Sequence, residues 1–154
     1  MGNLQRLNLE NYPSFITTKT INNALFLKKP ENAQTVISAI YYGRKNRWFS
    51  LISFVVMPDH LHLIIIPGEK NISQSMHSIK SFSSKEINKI NDRNGRIWQA
   101  SFRDFTIYSE KLLLQKITYI HNNPVSKGLS LEARDYKFSS ANPVYETDVE
   151  QIFT

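Results

Sequence analysis

The chain has 154 residues, 19 Lys and Arg against 13 Asp and Glu, a net charge of +6, and no cysteine. That length suits one domain with its own core, and the absence of thiols excludes a disulfide framework and a cysteine-ligated metal centre. The positive excess points toward an anionic partner such as nucleic acid, while seven Tyr, nine Phe and two Trp suit either a core or a stacking surface.

Residues 1–15 (MGNLQRLNLENYPSF) contain no apolar export signal, and no apolar run is long enough to span a membrane. A cytoplasmic protein is expected. Residues 14–21 (SFITTKTI) alternate and are rich in Thr and Ile, the pattern of a strand. Pro30 and Glu31 open a helix over residues 31–46, with apolar residues at helical spacing. Residues 50–57 and 60–66 are strands joined by a Pro58-Asp59 turn into a tight hairpin. Residues 71–92 form a second helix with Ile72, Met76, Ile79, Phe82 and Ile87 along one face. Residues 102–108 (FRDFTIY) form a fourth strand. Ser109 is an N-cap and Glu110 favours the first turn of a helix that runs to Pro124, which is expected to stop it. The tail from Val125 is expected to wrap the domain.

This order predicts an α+β fold of the ferredoxin-like, split βαβ type: an antiparallel sheet with helices on one face, plus a further C-terminal helix. One domain covers residues 1–154, with a core over about 14–124 and an extension over about 125–154. Fold alone does not give function.

The stretch VVMPDHLHLIIIP, residues 55–67, places two imidazoles in an apolar strand. A strand repeats every two residues, so His60 and His62 share a face, while Val56, Leu61, Leu63 and Ile65 fill a core. Two such histidines either bind one divalent cation or are hydrogen-bonded at a sheet surface. On the helix over 110–123, Gln115, Tyr119 and Asn123 share a face at four-residue spacing, and His121 lies on the other side. Asn123 offers an oxygen ligand and Tyr119 a nucleophile; equally, Tyr119 is a packed core tyrosine. Spacing alone does not separate Tyr119 from Tyr108.

The segment MPDHLHLI resembles the HUH motif (histidine, hydrophobic, histidine) of single-tyrosine transposases of the insertion-sequence type. WQASFRDF and YIHNNPVSKGL resemble the second and third signatures of their REP-associated relatives, the RAYT proteins, and DYKFSSA matches a pattern those relatives carry downstream. The resemblance spans roughly residues 14–142. It implies a ferredoxin-like fold, His60 and His62 as metal ligands, Tyr119 as nucleophile and Asn123 as the third, polar ligand, a position where some members carry Gln. Gln115 is a possible helper by helical geometry only. The implied cofactor is Mg²⁺ or Mn²⁺. The implied activity is cleavage and rejoining of single-stranded DNA beside a hairpin through a 5′-phosphotyrosine, by a homodimer or a monomer.

Phosphate contacts are expected from Arg44, Lys45 and Arg47 after the first helix, and from Lys85, Lys89, Arg93 and Arg96 near the second. Trp98, Phe102 and Arg103 are read as a mixture of core and DNA-facing residues. A non-catalytic nucleic-acid binder with a stacking sheet, or a hairpin binder that does not cut, competes with this reading. A two-histidine phosphoesterase does not, because His62 and His77 are followed two residues on by Ile64 and Ile79 rather than Ser or Thr.

Overall fold

The computed structural model describes residues 11–152. The N-terminal part of the expectation about an export signal, residues 1–10, lies outside them. Seven main elements follow in order: β1 (Ser14–Lys19), α1 (Pro30–Lys45), β2 (Phe49–Met57), β3 (His60–Pro67), α2 (Ile72–Ile90), β4 (Arg103–Thr106) and α3 (Glu110–Ser126). The strands form one antiparallel sheet in the order β2-β3-β1-β4. This is the expected split βαβ arrangement.

Local chemistry explains the boundaries. Pro30 occupies the first turn of α1, where its missing N–H costs nothing. A reciprocal capping box opens α2: Gln74 N–H donates to Asn71 Oδ1 at 2.8 Å and Asn71 N–H donates to Gln74 Oε1 at 3.0 Å. Ser109 caps α3 by accepting from Leu112 N–H at 3.2 Å. The Pro58-Asp59 turn is tied to the end of β1, since Thr20 N–H donates to Asp59 O at 3.0 Å.

The alternation of the strands divides the buried side chains between two faces. Ile16, Phe54, Val56, Leu61, Leu63 and Ile65 pack with Val36, Ile37 and Ile40 of α1 and Met76, Ile79 and Ile87 of α2. Phe15, Ile52, Val55, Met57 and Ile64 point the other way and meet Leu113 and Ile120 of α3. The helices α1 and α2 thus share one face and α3 covers the other. Strands β2 and β3 are buried on both sides, which is why they read as near-continuous apolar runs. Their register shifts between Leu51 and Ser53, so a bulge changes the alternation there.

Three expectations need correction. Pro124 does not stop α3, which continues to Ser126 with Pro124 inside it. A proline removes one helical hydrogen bond, and that loss falls in the last turns, where Lys127 N–H donates to Asn123 O and the chain closes off anyway. Phe82 is 47% exposed, and Ser83 takes the buried position beside it. The Ser83 hydroxyl accepts from Trp98 Nε1–H at 2.9 Å, a partner a buried indole requires. The fourth strand is shorter than expected, four residues rather than the seven of 102–108.

The tail runs along the outer edge of β2. Val56 N–H donates to Phe138 O at 2.8 Å, Ser140 N–H donates to Phe54 O at 3.0 Å, and Tyr136 Oη donates to Val56 O at 2.7 Å. This covers a strand edge that would otherwise expose its backbone. Further on, Arg44 holds Asp148 through two hydrogen bonds, of 3.0 and 2.8 Å, and Asp148 also accepts from Leu51 N–H at 2.8 Å. Burial pushes the Asp148 carboxyl up, but the Arg44 and Leu51 hydrogen bonds outweigh it and hold the carboxyl below its usual range. Among the described residues no helix is long and apolar enough to cross a membrane.

Candidate active site

The register of β3 settles where the two imidazoles point. His62 lies opposite Thr17 of β1 and Val55 of β2, and His60 opposite Lys19 and Met57. Both therefore project onto the α3 face. Their rings stand edge to face with centroids 4.7 Å apart. His62 is buried and His60 half-buried.

Each ring is held through the same nitrogen. His60 Nδ1 lies 2.7 Å from Asp59 Oδ1, and His62 Nδ1 lies 2.9 Å from Thr17 Oγ1. An ionised carboxylate only accepts, so His60 Nδ1 carries a hydrogen and donates it to Asp59. At His62 the Thr17 hydroxyl can accept from or donate to Nδ1; where the ring donates, Nε2 carries the lone pair, as it does in His60. Burial, followed by the nearby His60, Lys116 and Lys19, pushes the His62 pKa down from 6.5 to about 3. His62 is therefore neutral at physiological pH, the form in which imidazole binds a metal.

Leu113 and Ile120 seat α3 on the sheet, and that packing sets the height of its other residues. The Tyr119 ring lies 5.4 Å from that of His62 and 6.1 Å from that of Phe15, centroid to centroid. It is 49% exposed, so the ring lies against His62 and still meets solvent. Tyr108 packs edge-on against Tyr12 instead, at 5.1 Å. One turn beyond Tyr119, Asn123 is buried, and its Oδ1 has no hydrogen-bond partner. A buried amide oxygen left unpaired costs about 1–3 kcal/mol, so Asn123 Oδ1 is an acceptor open to a ligand.

This fits a divalent cation. Among the described residues no three His, Asp or Glu side chains gather into a metal cluster. A three-donor set here must therefore combine the two imidazoles with a neutral oxygen, and Asn123 Oδ1 is such an atom. Gln115, one turn before Tyr119, is exposed and lines a surface groove with Glu110, Lys111, Leu114 and Thr118. His121, on the far side of the helix, lies within 2.8 Å of Ser140 Oγ and 3.2 Å of Ser53 Oγ, where burial lowers its pKa. It clamps the tail rather than joining the site.

The basic residues scatter. Arg44 is committed to Asp148, with Glu146 at 3.6 Å, so it anchors the tail instead of offering a free cation. Lys45 and Arg47 are exposed beside it and line an open groove with Ser50, Gly68 and Glu69. Lys85 lines another groove with Tyr42, Trp48, His77 and Phe82. Lys89 and Arg96 are exposed, and Arg93 stacks over Phe26 at 4.5 Å while donating to Asn88. Trp98 is 4% exposed and belongs to the core, so it does not face DNA. Arg103 is exposed on β4 opposite Thr17, on the α3 side of the sheet. Sequence reasoning missed Asp59, Thr17 and Lys116. Asp59 was visible beside His60 but read only as a turn residue. Thr17 becomes a partner only through strand register, which no local pattern reveals.

The profile of the family described as "Transposase IS200 like" matches residues 12–123. The chain belongs to that family. A REP-associated tyrosine transposase of Escherichia coli K12 is 28% identical over 109 residues, covering 70% of this chain and 63% of that protein. A provisionally named REP-associated tyrosine transposase of Haemophilus influenzae is 26% identical over 103 residues, covering 60% of this chain and 58% of that one. The matches thus span about three fifths of these relatives' lengths. A REP-associated tyrosine transposase solved bound to a REP hairpin is 25% identical, with a TM-score of 0.70, and the superposition covers 97% of this chain and 93% of the other. The histidine pair, Tyr119 and Asn123 all lie within the stretch that the IS200-like profile matches.

Proposed function

We propose that this IS200-like transposase cleaves and rejoins single-stranded DNA next to a hairpin, with Tyr119 as the nucleophile. The observation that carries the reading is the Tyr119 ring set against His62 of the histidine pair, with Asn123 one turn further along α3. His60 presents Nε2, a half-exposed phenol lies against His62, and a buried amide oxygen lacks a partner.

In this reading the Nε2 atoms of His60 and His62 and Oδ1 of Asn123 would hold Mg²⁺ or Mn²⁺. When bound, the ion supplies Lewis-acid polarisation of a phosphate oxygen. Thr17 and Asp59 keep the two rings in the required tautomer. The Tyr119 oxygen attacks phosphorus, the bond from phosphorus to the 3′ oxygen breaks, and a 5′-phosphotyrosine forms. The phenol gives up one proton and the departing 3′ hydroxyl gains one. One phosphoester replaces another, so a second 3′ hydroxyl reverses the step and joins strands without a nucleotide cofactor. The family and the hairpin-bound relative support DNA of hairpin form as the substrate.

The test uses a labelled hairpin oligonucleotide taken from the flanks of the gene, incubated with Mn²⁺ and run on a denaturing gel. Wild type is expected to give a covalent protein–DNA band that EDTA abolishes. Tyr119→Phe is expected to lose the band, a drop of at least about 10³-fold, while still binding the hairpin. Hairpin binding without any band from wild type would favour a non-cleaving binder.

A further inference from the structure

The α3 face is not evenly covered. Helix α3 rests mainly on β2 and β3, and the edge strand β4 is exposed along its whole length. On that open side Phe105 lies opposite Phe15, and the two rings stack with centroids 5.3 Å apart. Phe15 is buried, whereas Phe105 remains 41% exposed. Arg103, two residues earlier on the same face, is exposed as well. Phe15, Thr17, Arg103 and Phe105 line an open groove of about 550 Å³ beside the candidate site.

A cation stands over the aromatic rings of this groove. Lys116 Nζ lies 5.1 Å from the Phe105 ring, 5.2 Å from Phe15 and 5.7 Å from Tyr119. It makes no ion pair among the described residues, and neither does Arg103. The other charged residue of the groove, Asp104, pairs with Ile16 and so projects from the opposite face of β4. An accessible aromatic ring flanked by two unpaired cations has the chemistry of one nucleotide: a flat base to stack and a phosphate to neutralise. An edge strand with a large exposed aromatic is otherwise a liability for the fold.

We propose that Phe105 is the stacking platform for an unpaired base next to the scissile phosphate, and that Lys116 and Arg103 hold the adjoining phosphates. This subsite rests on the reading of Tyr119 as nucleophile for its position along the strand, though not for its chemistry. It gives the groove a single occupant, the single-stranded segment beside the hairpin.

The experiment measures binding of fluorescein-labelled oligodeoxyadenylate, and of an abasic chain of equal length, to the full protein. Stacking contributes about 5- to 150-fold in affinity per base. Phe105→Leu, which keeps an apolar contact for Phe15, is expected to weaken oligodeoxyadenylate by that factor and leave the abasic chain unchanged. Phe105→Trp is expected to restore the base-dependent affinity. Lys116→Gln is expected to weaken both chains and to reduce the slope of log K against log salt by about 0.7. Equal affinity of Phe105→Leu and wild type for oligodeoxyadenylate would overturn the stacking role. An unchanged salt slope in Lys116→Gln would overturn the phosphate role. Covalent-adduct formation by wild type separates the two readings: an adduct without base-dependent binding at Phe105 refutes the subsite alone. Base-dependent binding without an adduct refutes the nucleophile and leaves a stacking site.

Discussion

The two faces of the sheet carry opposite kinds of side chain from the same strand. On β3, Leu61, Leu63 and Ile65 turn toward α1 and α2, into the larger hydrophobic core. The residues between them, His60, His62 and Ile64, turn toward α3. On that side lie a buried imidazole held neutral, an orphaned amide oxygen and a half-exposed phenol. The face toward α1 and α2 is mostly packing, and the face toward α3 also carries the imidazoles and the phenol. A period of two therefore separates stability from chemistry along a single eight-residue strand. Natural proteins tend to break folding rules at functional sites, and a buried histidine beside a half-exposed tyrosine is such a break.

The comparison predicts how each face responds to change. The largest effect on stability belongs to the face toward α1 and α2. Leu63→Ala is expected to cost about 2–5 kcal/mol by urea unfolding, because Leu63 is fully buried in close packing. A loss well under 1 kcal/mol would mean that the core is loose there.

Next comes acid. The unfolded His62 takes a proton below 6.5, whereas the folded one resists until about 3. The unfolded chain thus binds more protons between these values, so stability is complete above 6.5 and declines as the pH falls toward 3. The loss between pH 7 and pH 5 is expected to be about 2 kcal/mol, with His121 adding in the same direction, since burial lowers its pKa too. His62→Gln should flatten that slope. A slope unchanged by the substitution would show that His62 is not held neutral by the fold.

A smaller effect separates positioning from packing. Thr17→Val keeps the shape but removes the hydrogen-bond partner of His62 Nδ1, and is expected to weaken Mn²⁺ binding about tenfold by isothermal titration. Thr17→Ser should restore it. Equal affinity in Val and Ser would leave Thr17 a strand residue only. Least of all, Phe82→Ser on the exposed side of α2 should change stability by no more than about 0.5 kcal/mol.

The faces were unequally legible in the sequence. The element order and the core of β3 followed from hydrophobic period alone, since alternation and helical spacing are local signals. Phe82 was misplaced because local periodicity ranks a phenylalanine above the serine beside it. The deciding fact, a buried Trp98 needing an acceptor, comes from residues 15 positions away. Pro124 misled because a proline near a helix end removes only one bond. On the site side, the shared face of His60 and His62 and the four-residue spacing of Tyr119 and Asn123 were readable. That α3 sets Tyr119 against His62 depends on how the helix packs on the sheet, which no local pattern carries; the resemblance gave only the role of Tyr119. Thr17 and Lys116 were invisible, because strand register and helix crossing bring them there. Trp98 and Arg44, both expected at DNA, are instead used by the fold, one in the core and one on the tail.

The central claim is that the phenol on α3 is the atom that attacks DNA. Tandem mass spectrometry of the protease-digested covalent adduct tests it most directly. The account predicts a nucleotide attached to the peptide that carries Tyr119, through its phenolic oxygen. Attachment at Tyr108 or any other residue would contradict it.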